Sequence, residues 1–208
     1  MRMNTGILSE EFPGRARAED ILREAETHNA GPWVNHSRTV AVCAERIAAA
    51  CGMDADKAYV LGLLHDIGRR FGTGHLRHVY DGWKYMRECG YGQVAKVCLT
   101  HSFCDGELSG YIGRSDVSGA ERSELETALK AAVYDDYDRL IQLCDALGGA
   151  DGVMDMEERM RDVERRYGAY PQEKRNANRA MKAYFERKAG RDIYEITGRP
   201  VSGQKQKT

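Results

Sequence analysis

The sequence predicts an all-α protein that forms one helical domain over residues 1–190. Apolar residues recur at the three- and four-residue spacing of amphipathic helices along most of the chain. Only 4 prolines interrupt this spacing in 208 residues, and the hydrophobic and charged fractions, 42% and 30%, are those of an ordinary globular protein. A chain of this length and composition can bury a substantial core.

The first half of the chain divides into five predicted helices. Asn35 and Asp54 stand where the N-caps of the second and third helices belong, and Gly52 and Gly68 stand where those helices should end. Residues 60–64 are apolar on nearly every side, which predicts that the third helix is deeply buried. The five helices are predicted at about residues 18–27, 35–51, 55–67, 76–89 and 91–101.

The second half begins with a segment, residues 102–120, that is rich in glycine and serine and lacks apolar periodicity. We predict a long loop there. Four further helices are predicted at about residues 121–132, 135–147, 156–167 and 171–189. The last two form a helical C-terminal extension over residues 156–190, and the polar tail, residues 199–208, is expected to be disordered.

Charge and hydropathy exclude several classes of protein. The formal net charge of −1 gives no overall attraction to nucleic acid polymers or anionic lipid. The longest apolar stretch, residues 59–64, is far shorter than the roughly 20 residues of a membrane span, and residues 1–6 lack the apolar core of a secretory signal. The 6 cysteines form no CxxC pair and are expected to be reduced. We therefore expect a cytoplasmic protein without a membrane partner; its state as monomer or homodimer stays open.

Charge is distributed unevenly along the second half of the chain. Acidic side chains are in excess over residues 100–156, and basic side chains are in excess over residues 157–191. Two solvated faces that pack against each other would explain this difference. A rim that attracts phosphate is the alternative explanation.

Six polar side chains stand at positions that helical spacing directs toward the interior. Singly, each would be interpreted as a hydrogen-bonded core residue. Burying two carboxylates without a compensating positive charge, however, would cost several kcal/mol, and basic side chains that could pair with them are scarce nearby. A divalent cation supplies this compensation, and imidazole and carboxylate are its usual ligands. The predicted metal ligands are His36, His65, Asp66, His78, His101 and Asp145.

The order His36, His65-Asp66, Asp145 resembles the signature of the HD-domain superfamily. Residues 36–41 (HSRTVA) and 63–68 (LLHDIG) match its two most recognisable segments, and residues 143–147 (LCDAL) resemble the segment with its last ligand. The resemblance covers about residues 30–150. It implies an HD-domain helical bundle, here with an additional C-terminal helix, and a metal-dependent phosphohydrolase. The expected substrate is a phosphate ester or anhydride of small size, most simply a nucleotide.

The resemblance also implies roles for individual residues. By position, His36, His65, Asp66 and Asp145 would hold a first metal ion. His78 and His101 match the two further histidines of a two-metal subset that includes bacterial hydrolases of diadenosine tetraphosphate, with Asp66 bridging both ions. We therefore expect two divalent ions, Fe, Mn or Mg, with Zn as a further candidate.

Catalytic and substrate-binding roles follow from the same resemblance. Asp66 would orient the attacking water, and His75, in the loop before the fourth helix, would protonate the leaving oxygen. Arg69 stands where many members of the superfamily carry Lys, and with Arg70 and Arg77 it would bind the phosphate charge. The loop that follows His101 is expected to act as a lid.

Other interpretations of the sequence stay open. The same ligand set resembles that of di-iron oxygenases in the superfamily, and a non-catalytic nucleotide-binding regulatory module would also retain the fold. Cys98, His101 and Cys104 have the spacing of a small zinc site, although a fourth ligand is not evident nearby. The acidic run at residues 134–138 is interpreted as the solvated start of a helix.

Overall fold

The computed structural model describes residues 11–199, and these residues confirm the predicted all-α class. Within them the chain forms ten α-helices, and the sheet consists of two paired strands of two residues each. The elements are α1 Arg15–His28, α2 Pro32–Ala50, α3 Ala55–Leu64, α4 Leu76–Glu88, α5 Gly92–Thr100, α6 Gly119–Ala131, α7 Asp136–Leu147, β1 Gly148–Gly149, β2 Gly152–Val153, α8 Met156–Tyr167, α9 Gln172–Ala189 and α10 Ile193–Thr197.

Helices α2 and α3 form the centre of the bundle. Every residue from Ala58 to Leu64 is buried, as the apolar sequence of α3 predicts. The two helices approach closely at Gly62, where a Cβ atom would lie 2.9 Å from the Cα atom of Ala41. Helices α1, α5 and α7 pack around this pair, and α4 packs against α5. The bundle therefore brings the carboxyl ends of α3 and α5 close to α2 and α7.

The third helix ends earlier than the sequence predicts. Helix α3 stops at Leu64, His65 and Asp66 form a turn, and a 3₁₀ helix follows at Ile67–Phe71. The reason is a close contact with α4: a Cβ atom on Gly68 would lie 2.0 Å from the carbonyl oxygen of His78. Only glycine allows this approach, and the chain bends so that the turn packs on α4.

The predicted helix caps have mixed outcomes. Asp54 is the N-cap of α3, and its carboxylate accepts a hydrogen bond of 3.0 Å from the backbone N–H of Lys57. The prediction of Asn35 as an N-cap is wrong, because α2 begins three residues earlier at Pro32. A proline suits the first turn of a helix, where its missing N–H would have no partner.

The long loop before α6 is tied to the rest of the bundle. It contains a short 3₁₀ helix, Leu108–Gly110, and its Phe103 is fully buried. The carboxylate of Asp116 accepts hydrogen bonds from the backbone N–H groups of His75 and Arg77, at 2.6 and 2.7 Å. The loop is therefore held against the start of α4.

The C-terminal extension packs on α7 through α8 and α9, with Met160, Met181 and Phe185 in the core. The short helix α10 was not predicted. Of the tail predicted to be disordered, Arg199 forms an ion pair of 3.3 Å with Asp155, and residues 200–208 lie outside the described residues. Within the described part of the chain, no helix combines the length and apolarity that crossing a bilayer requires.

Candidate metal centre

The structure brings the six predicted ligands together, and five of them, all except His65, line a cavity of about 550 Å³. They come from five places in the chain: α2, the turn after α3, α4, the residue after α5, and α7. His65, Asp66, His78 and His101 are buried, whereas the side chain of Asp145 is 30% exposed and faces the cavity.

One group of ligands surrounds Asp145. Its Oδ1 atom lies 3.0 Å from Nε2 of His36 and 3.9 Å from Nε2 of His65. Nε2 of His65 is also 4.0 Å from Oδ2 of Asp66. Ligand atoms of His36, His65 and Asp66 all lie within 4.8 Å of one another, a spacing that one ion can span.

A second group surrounds the other oxygen of Asp66. Its Oδ1 atom lies 3.1 Å from Nε2 of His78 and 3.6 Å from Nε2 of His101. Ligand atoms of Asp66, His78 and His101 also lie within 4.8 Å of one another. Asp66 thus belongs to both groups and presents one carboxylate oxygen to each.

The orientation of the four histidine rings is fixed by main-chain carbonyls. A carbonyl oxygen can only accept, so each Nδ1 atom carries a proton, and the Nε2 atom of the neutral ring then presents its lone pair. A histidine that binds a metal usually donates its other N–H in this way. The Nδ1 acceptors are Gly148 O for His36 (3.2 Å), Gly62 O for His65 (2.7 Å), His75 O for His78, and Cys98 O for His101 (2.9 Å).

Two features show that these residues fit a bound cation. Nε2 of His65 is buried and has no hydrogen-bond partner, which is costly for a polar atom. Nε2 atoms of His78 and His101 lie 3.3 Å apart, and with both Nδ1 atoms protonated their lone pairs face each other. A divalent cation at each group would satisfy all of these lone pairs.

The protonation states also suit metal binding. Burial lowers the pKa of His65, and burial together with the neighbouring His65 lowers the pKa of His101 to about 3. Burial alone would raise the pKa of Asp66, but Arg69 and His78 outweigh it and hold that pKa well below its usual value. His36 does the same for the pKa of Asp145. Near neutral pH His65 and His101 are thus neutral, and the carboxylates of Asp66 and Asp145 are ionised.

The three predicted arginines have different positions. Arg69 lines the cavity, and its Nε donates to Oδ2 of Asp66 at 2.5 Å. Arg70 instead pairs with Glu24 at 3.0 Å and contacts Tyr85. Neither Arg70 nor Arg77 lines the cavity, so the structure does not place them where the sequence analysis expected substrate.

Arg77 and His75 both lie at the contact between α4 and the loop. Arg77 forms an ion pair of 2.6 Å with Glu121 at the start of α6. His75 lies beyond the cavity lining, and its Nε2 is 3.2 Å from the guanidinium of Arg114. The predicted proton donor is therefore separated from the metal groups.

The interpretation of residues 134–138 as the solvated start of a helix is wrong for Asp138. Asp138 is fully buried, not solvated; it accepts a hydrogen bond of 2.7 Å from Thr100 and pairs with Lys96 at 2.7 Å. It also belongs to the capping box of α7 with Asp135. Asp138 and Asp145 thus both point inward, but only Asp145 has histidine neighbours.

The proposed zinc site at Cys98, His101 and Cys104 does not form. Nε2 of His101 points toward Asp66 and His78, and Sγ of Cys98 lies 3.3 Å from the carbonyl oxygen of Leu64. Neither cysteine belongs to a potential metal-binding group within residues 11–199.

Further residues that line the cavity were not predicted from the sequence. Several of them are aromatic or basic and come from α2, the loop and the C-terminal segment. The basic excess over residues 157–191 was the available signal, but it did not show which side chains point inward. These residues are Trp33, Tyr111, Arg159, Arg166, Tyr167, Tyr170 and Lys174.

Comparison with known proteins identifies one family. A family model described as HD domain matches residues 33–149, which is more than half of the chain and includes all six candidate ligands. No curated protein and no solved structure gives a significant match. The match ends before α8, so the two C-terminal helices that complete the cavity lie outside it.

Proposed function

The chain belongs to the HD-domain family, and on that premise we propose that it is a metal-dependent phosphohydrolase acting on a nucleotide. The observation that carries the proposal is the convergence of four Nε2 lone pairs on the two oxygens of Asp66 and on Asp145. Each ring donates its Nδ1–H to a main-chain carbonyl, and this arrangement leaves Nε2 directed toward the carboxylates, where it can bind a cation.

Two ions are the stoichiometry that the geometry supports. His36, His65, Asp66 and Asp145 would hold the first ion, and Asp66, His78 and His101 would hold the second. Nitrogen and oxygen ligands of this kind suit Fe or Mn, with Mg and Zn as further candidates. When bound, such a pair supplies Lewis acidity that polarises a phosphate and lowers the pKa of a water molecule.

The residues of the chain have distinct tasks in hydrolysis. Asp66, shared between both groups, would orient the attacking water. Arg69 is held against Asp66 and would neutralise charge that develops on the phosphate oxygens. Tyr111 lines the cavity, and burial raises the pKa of its hydroxyl, so it stays protonated and can donate a hydrogen bond to phosphate.

The cavity supports a nucleotide as the substrate. Its volume of about 550 Å³ lies in the range of small-molecule sites, roughly 300–1,000 Å³. Trp33, Tyr111, Tyr167 and Tyr170 line it and offer aromatic surfaces on which a base can stack.

A phosphate-release assay tests the proposal. The purified protein, loaded with Mn²⁺, Fe²⁺ or Mg²⁺, is incubated with a panel of nucleotides, with Asp66→Ala as the inactive variant and Asp20→Ala, on the exposed face of α1, as the control. We expect turnover that Asp66→Ala lowers at least 1,000-fold, a loss of about 4 kcal/mol of transition-state stabilisation. Iron-dependent O₂ uptake without phosphate release, or nucleotide binding without turnover, would contradict the proposal.

A further inference from the structure

Helices α8 and α9, which the HD-domain match does not include, build one wall of the cavity that the candidate ligands also line. Arg159 and Arg166 of α8 and Lys174 of α9 line this wall. The family core therefore supplies the metal centre, and the C-terminal helices supply positive charge that faces it.

Lys174 is the basic residue of this wall without an acidic partner. Its Nζ donates one hydrogen bond of 2.8 Å to the carbonyl oxygen of Ser102, and within residues 11–199 it forms no ion pair. By contrast, Lys182 and Lys188 on the same helix pair with Glu186 and Asp136. Two N–H groups of a partly buried ammonium are thus left for another acceptor.

The position of Lys174 is close to the metal centre. Ser102, its hydrogen-bond partner, directly follows the candidate ligand His101. Burial lowers the pKa of Lys174, which shows that the folded protein pays a cost to keep this charge inside. A cost of this kind is removed when an anion binds beside the ammonium.

Arg159 provides a second, independent observation that points to an anion-binding site. Its Nη1 lies 3.2 Å from Asp162, but its Nε is buried and has no hydrogen-bond partner. Asp162 is also shared with Arg165 and Arg166, at 3.3 and 2.9 Å. One carboxylate therefore serves three guanidinium groups, and the wall keeps an excess of positive charge.

We propose that Lys174 and Arg159 form a subsite for a phosphate group of the substrate other than the one that is attacked. This inference rests on the proposed function and deepens it: the substrate is a nucleotide with at least two phosphate groups. Phosphate fits better than carboxylate because it offers more acceptor oxygens to an ammonium and a guanidinium that come from different helices.

The test compares ADP with AMP on the full-length protein loaded with Mn²⁺. Calorimetry gives the Kd of each nucleotide, and phosphate release gives KM and kcat. We expect the wild type to bind ADP more tightly than AMP. Lys174→Gln should weaken ADP binding about tenfold and leave AMP binding within twofold. Arg187→Gln, which removes an exposed charge from the same helix, should change none of these values.

The outcomes separate the subsite from the proposed function. Preference for ADP that depends on Lys174, without any phosphate release, would support the subsite and overturn the hydrolase. Phosphate release from both nucleotides, with the same Kd for AMP and ADP or with no effect of Lys174→Gln, would overturn the subsite alone.

A stability measurement distinguishes a substrate-binding role of Lys174 from a purely structural one. Lys174→Met keeps the aliphatic stem and removes the unpaired charge, so we expect the melting temperature of the nucleotide-free protein to rise by about 2–4 °C while the preference for ADP is lost. A lower melting temperature with an unchanged preference for ADP would show that Lys174 serves the fold.

Discussion

At the scale of single residues, the metal centre depends on which nitrogen of each histidine carries the proton. His65 and His101 both occupy the C-cap position of a helix, and each donates its Nδ1–H to the carbonyl three residues earlier. The last carbonyls of a helix lack partners within the helix, so these bonds satisfy the backbone as well. The same contact therefore ends the helix and orients the ligand.

His78 belongs only to the second group of ligands, which gives a direct prediction. In His78→Gln the second ion loses one of its two imidazoles, whereas the group around Asp145 keeps all of its members. We expect metal titration to show a fall from about two bound ions to about one. His28→Gln, at an exposed position on α1, should retain both. Equal stoichiometry in wild type and His78→Gln would contradict the two-group arrangement.

The buried neutral histidines predict how the metal-free protein responds to pH. The folded pKa of His101 is about 3 and lies below that of the unfolded chain, near 6.5. The unfolded state thus binds more protons between these values, and stability falls as the pH falls below about 6.5. We expect His101 to lower the free energy of unfolding by about 2 kcal/mol between pH 7 and pH 5.

Chemical denaturation in the presence of a chelator measures this dependence. His101→Gln should flatten the slope, and His28→Gln should leave it as in the wild type. A stability of the metal-free protein that does not change from pH 7 to pH 5 would show that His101 is not held neutral in the folded state.

Helical spacing in the sequence identified the six side chains that converge at the candidate metal centre, but it could not separate the arginines or the aspartates by role. The partners of Arg70 and Arg77, Glu24 and Glu121, are distant in the sequence and belong to helices whose packing the spacing does not reveal. Asp138 and Asp145 have the same helical phase, seven residues apart. Their roles differ because of their neighbours in the fold. Asp138 pairs with Lys96 and caps α7, whereas Asp145 lies beside His36 and is a candidate ligand.

At the scale of elements, the contact between the turn after α3 and helix α4 sets the distance between Asp66 and His78. A Cβ atom on Gly68 would lie 2.0 Å from the carbonyl oxygen of His78 and 2.5 Å from the backbone N of Gly82. Both of these neighbours are backbone atoms and cannot move without α4. The glycine is thus required by packing, and the ligand geometry depends on it.

Gly68→Ala tests this dependence. The added methyl should displace α4, lower the free energy of unfolding by about 2–3 kcal/mol and weaken binding of the second ion. Gly92→Ala is the matched control, because Gly92 is the first residue of α5 and no atom lies within 4 Å of its added Cβ. Denaturation curves and metal titration of both variants provide the measurement; a fully stable Gly68→Ala that binds two ions would contradict the packing argument.

Helical spacing predicted most elements well, including α8 at Met156–Tyr167, because amphipathic periodicity is a local property. The early end of α3 and the 3₁₀ helix that follows were not predicted. They result from the tertiary contact at Gly68, which no local pattern records. The start of α2 was predicted too late, at Asn35. Pro32 can already stand in the first turn of a helix, where a backbone N–H is not needed.

At the scale of the whole molecule, one cavity joins two parts of the chain. The HD-domain match covers residues 33–149 and contains the candidate ligands, whereas α8 and α9 contribute other residues that line the same cavity. The uneven charge of the sequence had two explanations, solvated faces or a phosphate-attracting rim. The side chains of Arg159, Arg166 and Lys174 at the cavity favour the second for part of this segment.

In the proposed arrangement Asp66 lies between two cation sites formed by separate groups of ligands. The most direct test is the anomalous scattering of Mn²⁺ in crystals of the full-length protein. We predict two peaks about 3.5–4 Å apart, one beside His36, His65 and Asp145 and the other beside His78 and His101. Peaks at other places, or none at saturating Mn²⁺, would contradict the account.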